Sequence, residues 1–477
     1  MARSISYALV YKMDATMPSY DVLIAGGGNA AMCAAVTTAK AGARVLVVEA
    51  APRDWRGGNT RHTRNLRLAH DAATATLTGP YPADEFMDDL WRVTGGKTDE
   101  ELARLTIEQS KSLWDWLGGE GVLFQPSLGG TLSLSRTNAF FLGGGKTLLR
   151  VLYRKAEALG VEVRYGAEVV GFEIEEGTFR AAEVATQAGV ERVEAASLIA
   201  ASGGFEANIE WLKEGWGEAA ENFLVRGTPY NKGKVLRLLL DAGVRSVGEA
   251  DQCHAVAIDG RAPKFDGGIV TRLDCVPFGI VVNRDAERFY DEGEDFWPKR
   301  YAIWGRLVAG QPGQVGYAVI DSKSLDLFIP SVFPPEEAET IGGLAEKMGL
   351  DPAALQRTVG TFNAACRAGS FDMTVLDDCR TEGLEPAKSH WARPIDTPPF
   401  YGYPLRPGIT FTYLGVGVNR EARVLMDDGR PSSNMFAAGE IMAGNVLGQG
   451  YLAGLGMTIG AVFGRIAGEE AGAHFAP

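Results

Sequence analysis

The sequence predicts an α/β fold in which both ends of the chain build one parallel-sheet domain and an α+β segment is inserted between them. Three observations predict it. A strand–turn–helix–strand unit, "YDVLIAGGGNAAMCAAVTTAKAGARVLVVEA", stands near the N-terminus. A bare glycine-rich stretch, "AGNVLGQGYLAGLGMTIG", runs from Ala443 to Gly460 near the other end. Between them the character changes at about Asp251, where "PKFDGG", "DFWPKRY", "QPGQ" and "IPSVFPP" crowd together proline, glycine and aromatics.

The first unit carries the chemistry of dinucleotide binding. Val22 to Ala25 reads as a short buried strand, Ala30 to Ala41 as a helix and Arg44 to Val48 as the next strand. Gly26, Gly28 and Ala31 form G-x-G-x-x-A: a tight turn, a close approach of backbone to pyrophosphate, and a small residue where helix packs on strand. The helix start at Asn29 and Ala30 offers amide N–H groups to phosphate. Glu49, followed by Ala50, lies about 20 residues on, where an acid binds a ribose hydroxyl. The unit sits near the start, and a second glycine-rich cluster, "FAAGE" (Phe436 to Glu440, with Gly439), lies far along the chain. A ligand that touches both is long, so the expected cofactor is FAD. The fold class is then a Rossmann-like FAD-binding domain of the glutathione-reductase type with an inserted α+β cap domain. No second strand–GxGxxG–helix unit with its acid follows, so no separate NADPH site is expected. "FLGGGKTLLR" lacks the first glycine of a phosphate loop, because Phe140 stands there, and reads as a turn into a helix.

"VEVRYGAEVVGFEIEEGTFRAAEVAT" reads as alternating strands that contain Val169. "ASLIAASGGF" reads as an apolar strand that ends at Ser202 and Gly203. Helical stretches are expected over Glu336 to Met348 and Asp351 to Arg367. The expected division is 17–249 with 410–477 for the FAD-binding domain and 250–409 for the cap. Residues 1–16 read as a leader, disordered in one reading, with Met17 as a natural start.

The chain has 477 residues and a formal charge of −13, which argues against a nucleic-acid partner. Any anion site must therefore be built locally. Cys33, Cys253, Cys275, Cys366 and Cys379 are scattered with no CxxC pair, so no metal or iron–sulfur site is expected and a reducing, cytoplasmic setting fits. No apolar run reaches membrane-spanning length, so a span is not expected, and attachment would be peripheral through a membrane partner.

The N-terminal motif, "GGNT" (Gly57 to Thr60), "GIVVNRDAERFYDEGEDFWPKRYAIWG" and "AAGEIMAGNVLGQGYLAGLGMTIGAVFGRIAG" together resemble the fumarate reductase/succinate dehydrogenase flavoprotein superfamily, and within it the tricarballylate dehydrogenase group. The resemblance implies FAD, a mobile cap, and insertion or removal of a C=C bond next to a carboxylate or carbonyl. It implies that Asn59 and Thr60 approach the middle of FAD. It also implies that His254, in "QCH", binds a substrate carboxylate and that Arg300, after Arg288, Phe289 and Glu292, shuttles the proton. Two family residues are absent: Phe411 stands for a histidine and Tyr451 for a late arginine. In that last feature the chain resembles ketosteroid dehydrogenases. Succinate dehydrogenases attach FAD through a histidine near His62, but His62 is out of register with it by three residues, so non-covalent FAD is expected.

The remaining candidates follow from chemistry. Glycines 448 to 456 would let backbone lie against the flavin. The helix near Leu455, Gly456 and Met457 would point its N-terminus at the reduced ring. Tyr451 would project towards substrate. The cluster Arg61, His62, Arg64, Arg67 and His70 would hold the carboxylates of a polycarboxylate, with Arg272 and Thr412 as further substrate contacts. Arg300 or Tyr451 would take the proton, and the residues alone leave both open. The leading expectation is tricarballylate to cis-aconitate, with electrons passed to a separate acceptor protein or a quinone-linked partner. The alternatives are a cyclic-ketone or 3-ketosteroid dehydrogenase using Tyr451, and a flavoprotein subunit of a larger electron-transfer complex.

Overall fold

The computed structural model of the protein describes residues 20–126, 134–473 and 475. The leader expected at 1–16, and Met17, lie outside these. The first strand is Tyr20–Ala25, an apolar run whose last five residues are buried. It pairs in parallel with Val45–Glu49 on one side and with Gly189–Ala200 on the other. Glu162–Tyr165 extends the sheet beyond Val45–Glu49, and Pro431–Ala437 extends it beyond Gly189–Ala200. Ala25 is in register with Val48 and with Ala200, and Ala200 with Ala437. Four parallel strands from distant parts of the chain thus end level with one another. Loops beyond the carboxyl ends of such strands form the ligand crevice of open α/β sheets. The hairpin Glu168–Glu175 and Thr178–Thr186 branches off the same sheet.

Sheet and cleft are closed on one side by two helices. Asn29–Lys40 is almost wholly alanine and small residues, and Leu455–Gly472 carries glycine every fourth position from Gly456 to Gly472. A β-carbon on Gly464 would stand 2.5 Å from the Ala30 carbonyl oxygen, and one on Gly468 2.8 Å from that of Ala34. The two helices therefore lie backbone to backbone. The Thr38 hydroxyl donates to the Gly468 carbonyl at 3.2 Å. The Asn29 side-chain amide donates to the Met457 carbonyl at 3.0 Å and locks the two helix starts together.

A second sheet has six strands. Phe400–Thr412 is its spine, pairing with Cys253–Asp259, Gly316–Asp321, Glu336–Ala338 and, in parallel, Leu224–Val225. Ile280–Asn283 completes it. The helix expected from Glu336 instead begins at Ile341, because Glu336–Ala338 is a strand that pairs with Phe400–Gly402. Pairing to an exposed strand satisfies those backbone groups without a helix. The helix after it is Pro352–Ala365, capped by Asp351, whose side chain accepts from the Ala354 amide at 3.0 Å. The sheet spine crosses residue 410, and Leu224–Val225 joins it from earlier in the chain. Among the described residues no helix is long and apolar enough to cross a membrane.

The helix contact predicts a stability effect. Gly464→Val places carbon against fixed backbone, and overpacking of this kind costs about 1–3 kcal/mol. Thermal unfolding of the variant is expected to start at a lower temperature. An unchanged melting temperature would show that the two helices are free to move apart.

Candidate active site

One continuous cleft runs from the strand ends of the first sheet to the second sheet. Its first part is the dinucleotide turn. Gly26 has φ +114°, and a β-carbon there would stand 2.3 Å from the Ala201 carbonyl oxygen. Only glycine fits. Gly28 and Ala30 also line the cleft. Asn29 lines it too, but its backbone N–H is taken by the Thr60 hydroxyl at 3.0 Å and its side chain by Met457. Glu49, 6% exposed, ends the second strand. It accepts from the amides of Ala51 at 2.9 Å and Gly57 at 3.2 Å. Burial outweighs these bonds and raises its pKa. Ala50, Val169, Ser202, Gly203, Gly439 and Glu440 complete this part. The Ser202 hydroxyl is buried without a partner among the described residues, the kind of orphan group that a ligand satisfies.

Asn59 braces the middle of the cleft. Its amide donates to the Glu206 carboxylate and to the Thr410 carbonyl at 2.7 Å, and its oxygen accepts from the Thr228 amide at 2.8 Å. Thr60, Gly454, Gly456 and Met457 form the wall above it. Gly454 has φ +82° and would bring a β-carbon within 2.8 Å of the Arg67 amide nitrogen. Gly448 and Gly450 do not reach the cleft. β-Carbons there would strike the backbone carbonyls of Lys97 and Val93 instead. Only the later part of the glycine run therefore faces a ligand. Leu455 is fully buried in the core rather than in the cleft.

The far end of the cleft is cationic and aromatic. Arg64, Arg226, Arg272, His254, Tyr301, Phe411 and Tyr451 line it. Arg272 forms a buried, two-pronged ion pair with Asp274, at 2.7 and 2.9 Å. Trp297 donates to the same carboxylate at 2.8 Å. Arg226 is 5% exposed and its Nε has no partner among the described residues; the Nε of Arg64 has none either. Burial first, and then Arg272, depress both guanidinium pKa values to about 10, so both stay charged at neutral pH. His254 stacks on Tyr451 with ring centres 3.9 Å apart and meets Tyr301 edge-on at 5.7 Å. Burial, Arg226 and Arg272 hold its pKa well below the ordinary histidine value, so it is neutral. The Tyr451 hydroxyl accepts from the Gly456 amide, in the first turn of the last helix, at 3.2 Å.

Several expected residues stand elsewhere. Arg300 does not line the cleft. Its guanidinium pairs with Glu294 and donates to the Tyr290 hydroxyl at 3.0 Å, because Glu294 lies one short turn away. Its neighbour Tyr301 points inward instead. Arg61 stacks on Trp55 at 4.7 Å and donates to the Asp54 carbonyl at 3.2 Å, away from the cleft. Thr412 is fully buried, with its amide donating to Glu440 at 2.9 Å, so it holds Glu440 and cannot touch substrate. Arg67 donates to Tyr81 at 2.6 Å, and His70 is held by the Leu68 and Gly79 carbonyls. Of that basic cluster, only His62 and Arg64 reach the cleft. His62 Nε2 lies 2.6 Å from Asp266 Oδ1, without the angle of a hydrogen bond. Burial outweighs Asp266 and drops its pKa to about 4, so it too is neutral. Arg226 and Tyr301 were not anticipated. The one sequence signal was the basic stretch "RGTPYNKGK" in an acidic chain.

Two outcomes test the cofactor end. Acid precipitation should release FAD into the supernatant; flavin left in the pellet would mean a covalent link at His62. Glu49→Ala should weaken FAD binding by about 1.5–3 kcal/mol, the value of a hydrogen bond to a charged group. Unchanged affinity by titration would remove Glu49 from the nucleotide site.

The chain matches the FAD binding domain family model over residues 21–457. It is 26% identical to the NADH:fumarate oxidoreductase of Klebsiella pneumoniae (strain 342) over 480 residues, covering 96% of this chain and 48% of that protein. The chain thus spans about half the length of that relative. It is 26% identical to the digoxin reductase of Eggerthella lenta over 523 residues, covering 95% and 87%. Its fold is similar to that of the 3-ketosteroid-delta4-(5alpha)-dehydrogenase from Rhodococcus jostii RHA1, with a TM-score of 0.73 at 22% identity over 97% of this chain and 99% of the other. With the glycine turn, Glu49 and Ser202 in one cleft, the chain belongs to the FAD binding domain family.

Proposed function

We propose that the enzyme makes or removes a C=C bond next to a carboxylate, and that Arg226 holds the carboxylate. The observation behind this reading is a buried arginine with a partnerless Nε in the same cleft as the dinucleotide turn. A buried charge is costly until it is paired. Arg64, Arg226 and Arg272 face one carboxylate, Asp274, while His62 and His254 are neutral. The balance favours an anionic substrate.

FAD, when bound, supplies the hydride acceptor or donor. Arg226 and Arg64 pin the substrate carboxylate, so that charge left by a departing proton spreads onto it. Tyr301 is the proposed proton carrier. Burial raises its pKa, but Arg272, Arg226, Arg67 and Arg64 all oppose the rise, and the Arg272 guanidinium lies 5.0 Å from its ring centre. Tyr451 has weaker help: burial and Tyr301 raise its pKa, and the Gly456 amide is the main opposing group. Tyr451 and His254 form a flat, stacked wall beside the proposed substrate space. Arg64 and Tyr451 come from the segments 17–249 and 410–477; His254, Arg272 and Tyr301 come from 250–409. We propose that these act as base and cap, closing on substrate between them.

Within this class, tricarballylate to cis-aconitate is the polycarboxylate reading, supported by the three cleft arginines. A cyclic ketone or 3-ketosteroid is the second reading, favoured by Tyr301, Phe411 and Tyr451 beside the substrate space. Electrons would leave to a separate acceptor protein or a quinone-linked partner, in the cytoplasm or against a membrane partner; the alternative is a flavoprotein subunit of a larger complex.

Incubating the purified protein with tricarballylate, succinate or a 3-ketosteroid, with a dye acceptor, tests the class. Dye reduction with a carboxylate and none with the ketosteroid is expected; the reverse would overturn the carboxylate reading. Arg226→Gln should raise the half-saturating substrate concentration roughly 10- to 100-fold, the equivalent of one charged hydrogen bond, with FAD content unchanged. Tyr301→Phe should slow single-turnover flavin reduction about 10²- to 10⁴-fold. Tyr451→Phe and Arg300→Lys should each cost about tenfold or less. A larger loss in Tyr451→Phe than in Tyr301→Phe would transfer the proton role to Tyr451.

A further inference from the structure

Two buried glutamates meet beside the cofactor cleft. Glu206 is fully buried and Glu440 is 8% exposed. They come from different strand ends of the first sheet, Glu206 after Gly189–Ala200 and Glu440 after Pro431–Ala437. The two carboxyl groups perturb each other's proton affinity, and a β-carbon on Gly204, two residues before Glu206, would stand 2.3 Å from Glu440 Oε1. The donors around them are already assigned. Glu206 Oε1 accepts from the side-chain amides of Asn59 and Asn231, the latter at 2.8 Å. Glu440 Oε1 accepts from the Thr412 amide at 2.9 Å and the Thr412 hydroxyl at 3.3 Å. Glu206 Oε2 is left buried with no donor of its own. Two ionised carboxylates cannot satisfy that atom; a proton between them can.

We propose that Glu206 and Glu440 share a proton at neutral pH, and that Glu206 is the positioning residue that keeps the Glu440 carboxyl uncharged where it lines the FAD cleft. Burial first raises the proton affinity of both groups, and for Glu440 the charge of Glu206 adds to it. The titratable neighbours do not supply a counter-charge. Cys253, which feels Glu206, has its thiol pushed up to about 12 by burial. Tyr413 and Tyr451, which feel Glu440, are both held above the usual phenol range, again by burial first. All three are neutral at pH 7. Among the described residues no cluster suited to a metal ion stands here. The consequence lies in the cleft. An ionised pair would set two negative charges against a phosphate-bearing cofactor in a site of low dielectric, where like charges repel strongly. A shared proton removes at least one of them. The inference rests on the cofactor cleft and not on the identity of the substrate.

Infrared difference spectroscopy of the FAD-loaded protein at pH 7 reads the proton directly. The wild-type protein should show the carbonyl stretch of a buried, protonated carboxylic acid. Glu206→Gln should lose it, since the new amide donates to Glu440 in place of the shared proton, while FAD stays bound. Melting temperature against pH gives an independent readout. The folded pair holds a proton that the unfolded chain releases above about pH 4.3. Relative to Glu206→Gln, wild-type stability should therefore fall as pH rises from about 5 to 7; the neutral His62 and His254 favour the opposite trend in both proteins and cancel in the comparison. If that variant does not fold, the wild-type band decides alone. A wild type without the band overturns the proposal, as does a stability difference from Glu206→Gln that does not change with pH, or a band that persists in Glu206→Gln.

Discussion

The backbone contact between Asn29–Lys40 and Leu455–Gly472 sets where everything else can stand. Glycines 464 and 468 let the last helix approach the carbonyls of Ala30 and Ala34, a distance any side chain would forbid. That approach places the start of the last helix beside the dinucleotide turn, and the Asn29–Met457 bond fixes the two in register. The ligand wall at Gly454, Gly456 and Met457 is thus held by residues more than 400 positions away in sequence. Without this packing the two ends of the chain would each present half a site.

The same arrangement explains how an acidic protein builds a cationic pocket. The overall charge of −13 offers an anion no attraction at long range. Locally, Arg64 follows the first glycine-rich segment, Arg226 leaves a two-residue strand, and Arg272 is clamped by Asp274. Each comes from a different part of the chain. Surface acids elsewhere are screened by dissolved ions over about 8–10 Å, whereas buried charges in the cleft are screened much less. A handful of arginines therefore outweighs the net charge at this one place. The neutral state of His254 follows from the same cause, since Arg226 and Arg272 repel a further proton.

The cleft has two electrostatic halves. At the substrate end, excess positive charge awaits an anion. At the cofactor end, Glu49, Glu206 and Glu440 are buried carboxylates with raised pKa values. Desolvation drives both: it depresses the arginines and raises the acids, pushing each towards neutrality. What differs is the partner available, an arginine neighbour in one half and an amide, a hydroxyl or a second carboxyl in the other.

Much of this was legible in the sequence where the signal is local. The turn at Gly26 to Gly28 needs only a few consecutive residues, and its strand, helix and following acid all appear within one or two residues of the expected bounds. The glycine run announced close packing, but its sequence could not say that Gly448 and Gly450 serve Lys97 and Val93 while Gly454 and Gly456 serve the cleft. Adjacent residues met opposite fates for the same reason. Arg300 found Glu294 nearby and stayed outside, while Tyr301, one position on, turned inward beneath Arg272. Arg226 and Glu206 gave no motif at all, because their meaning depends on partners brought together by the fold. The sequence by itself determined the nucleotide turn and the strands that carry it, since backbone geometry and hydrophobic spacing are short-range properties. The tertiary structure alone decided which charges lie in the cleft and which are neutral, since burial and charge–charge distance exist only once the chain is packed.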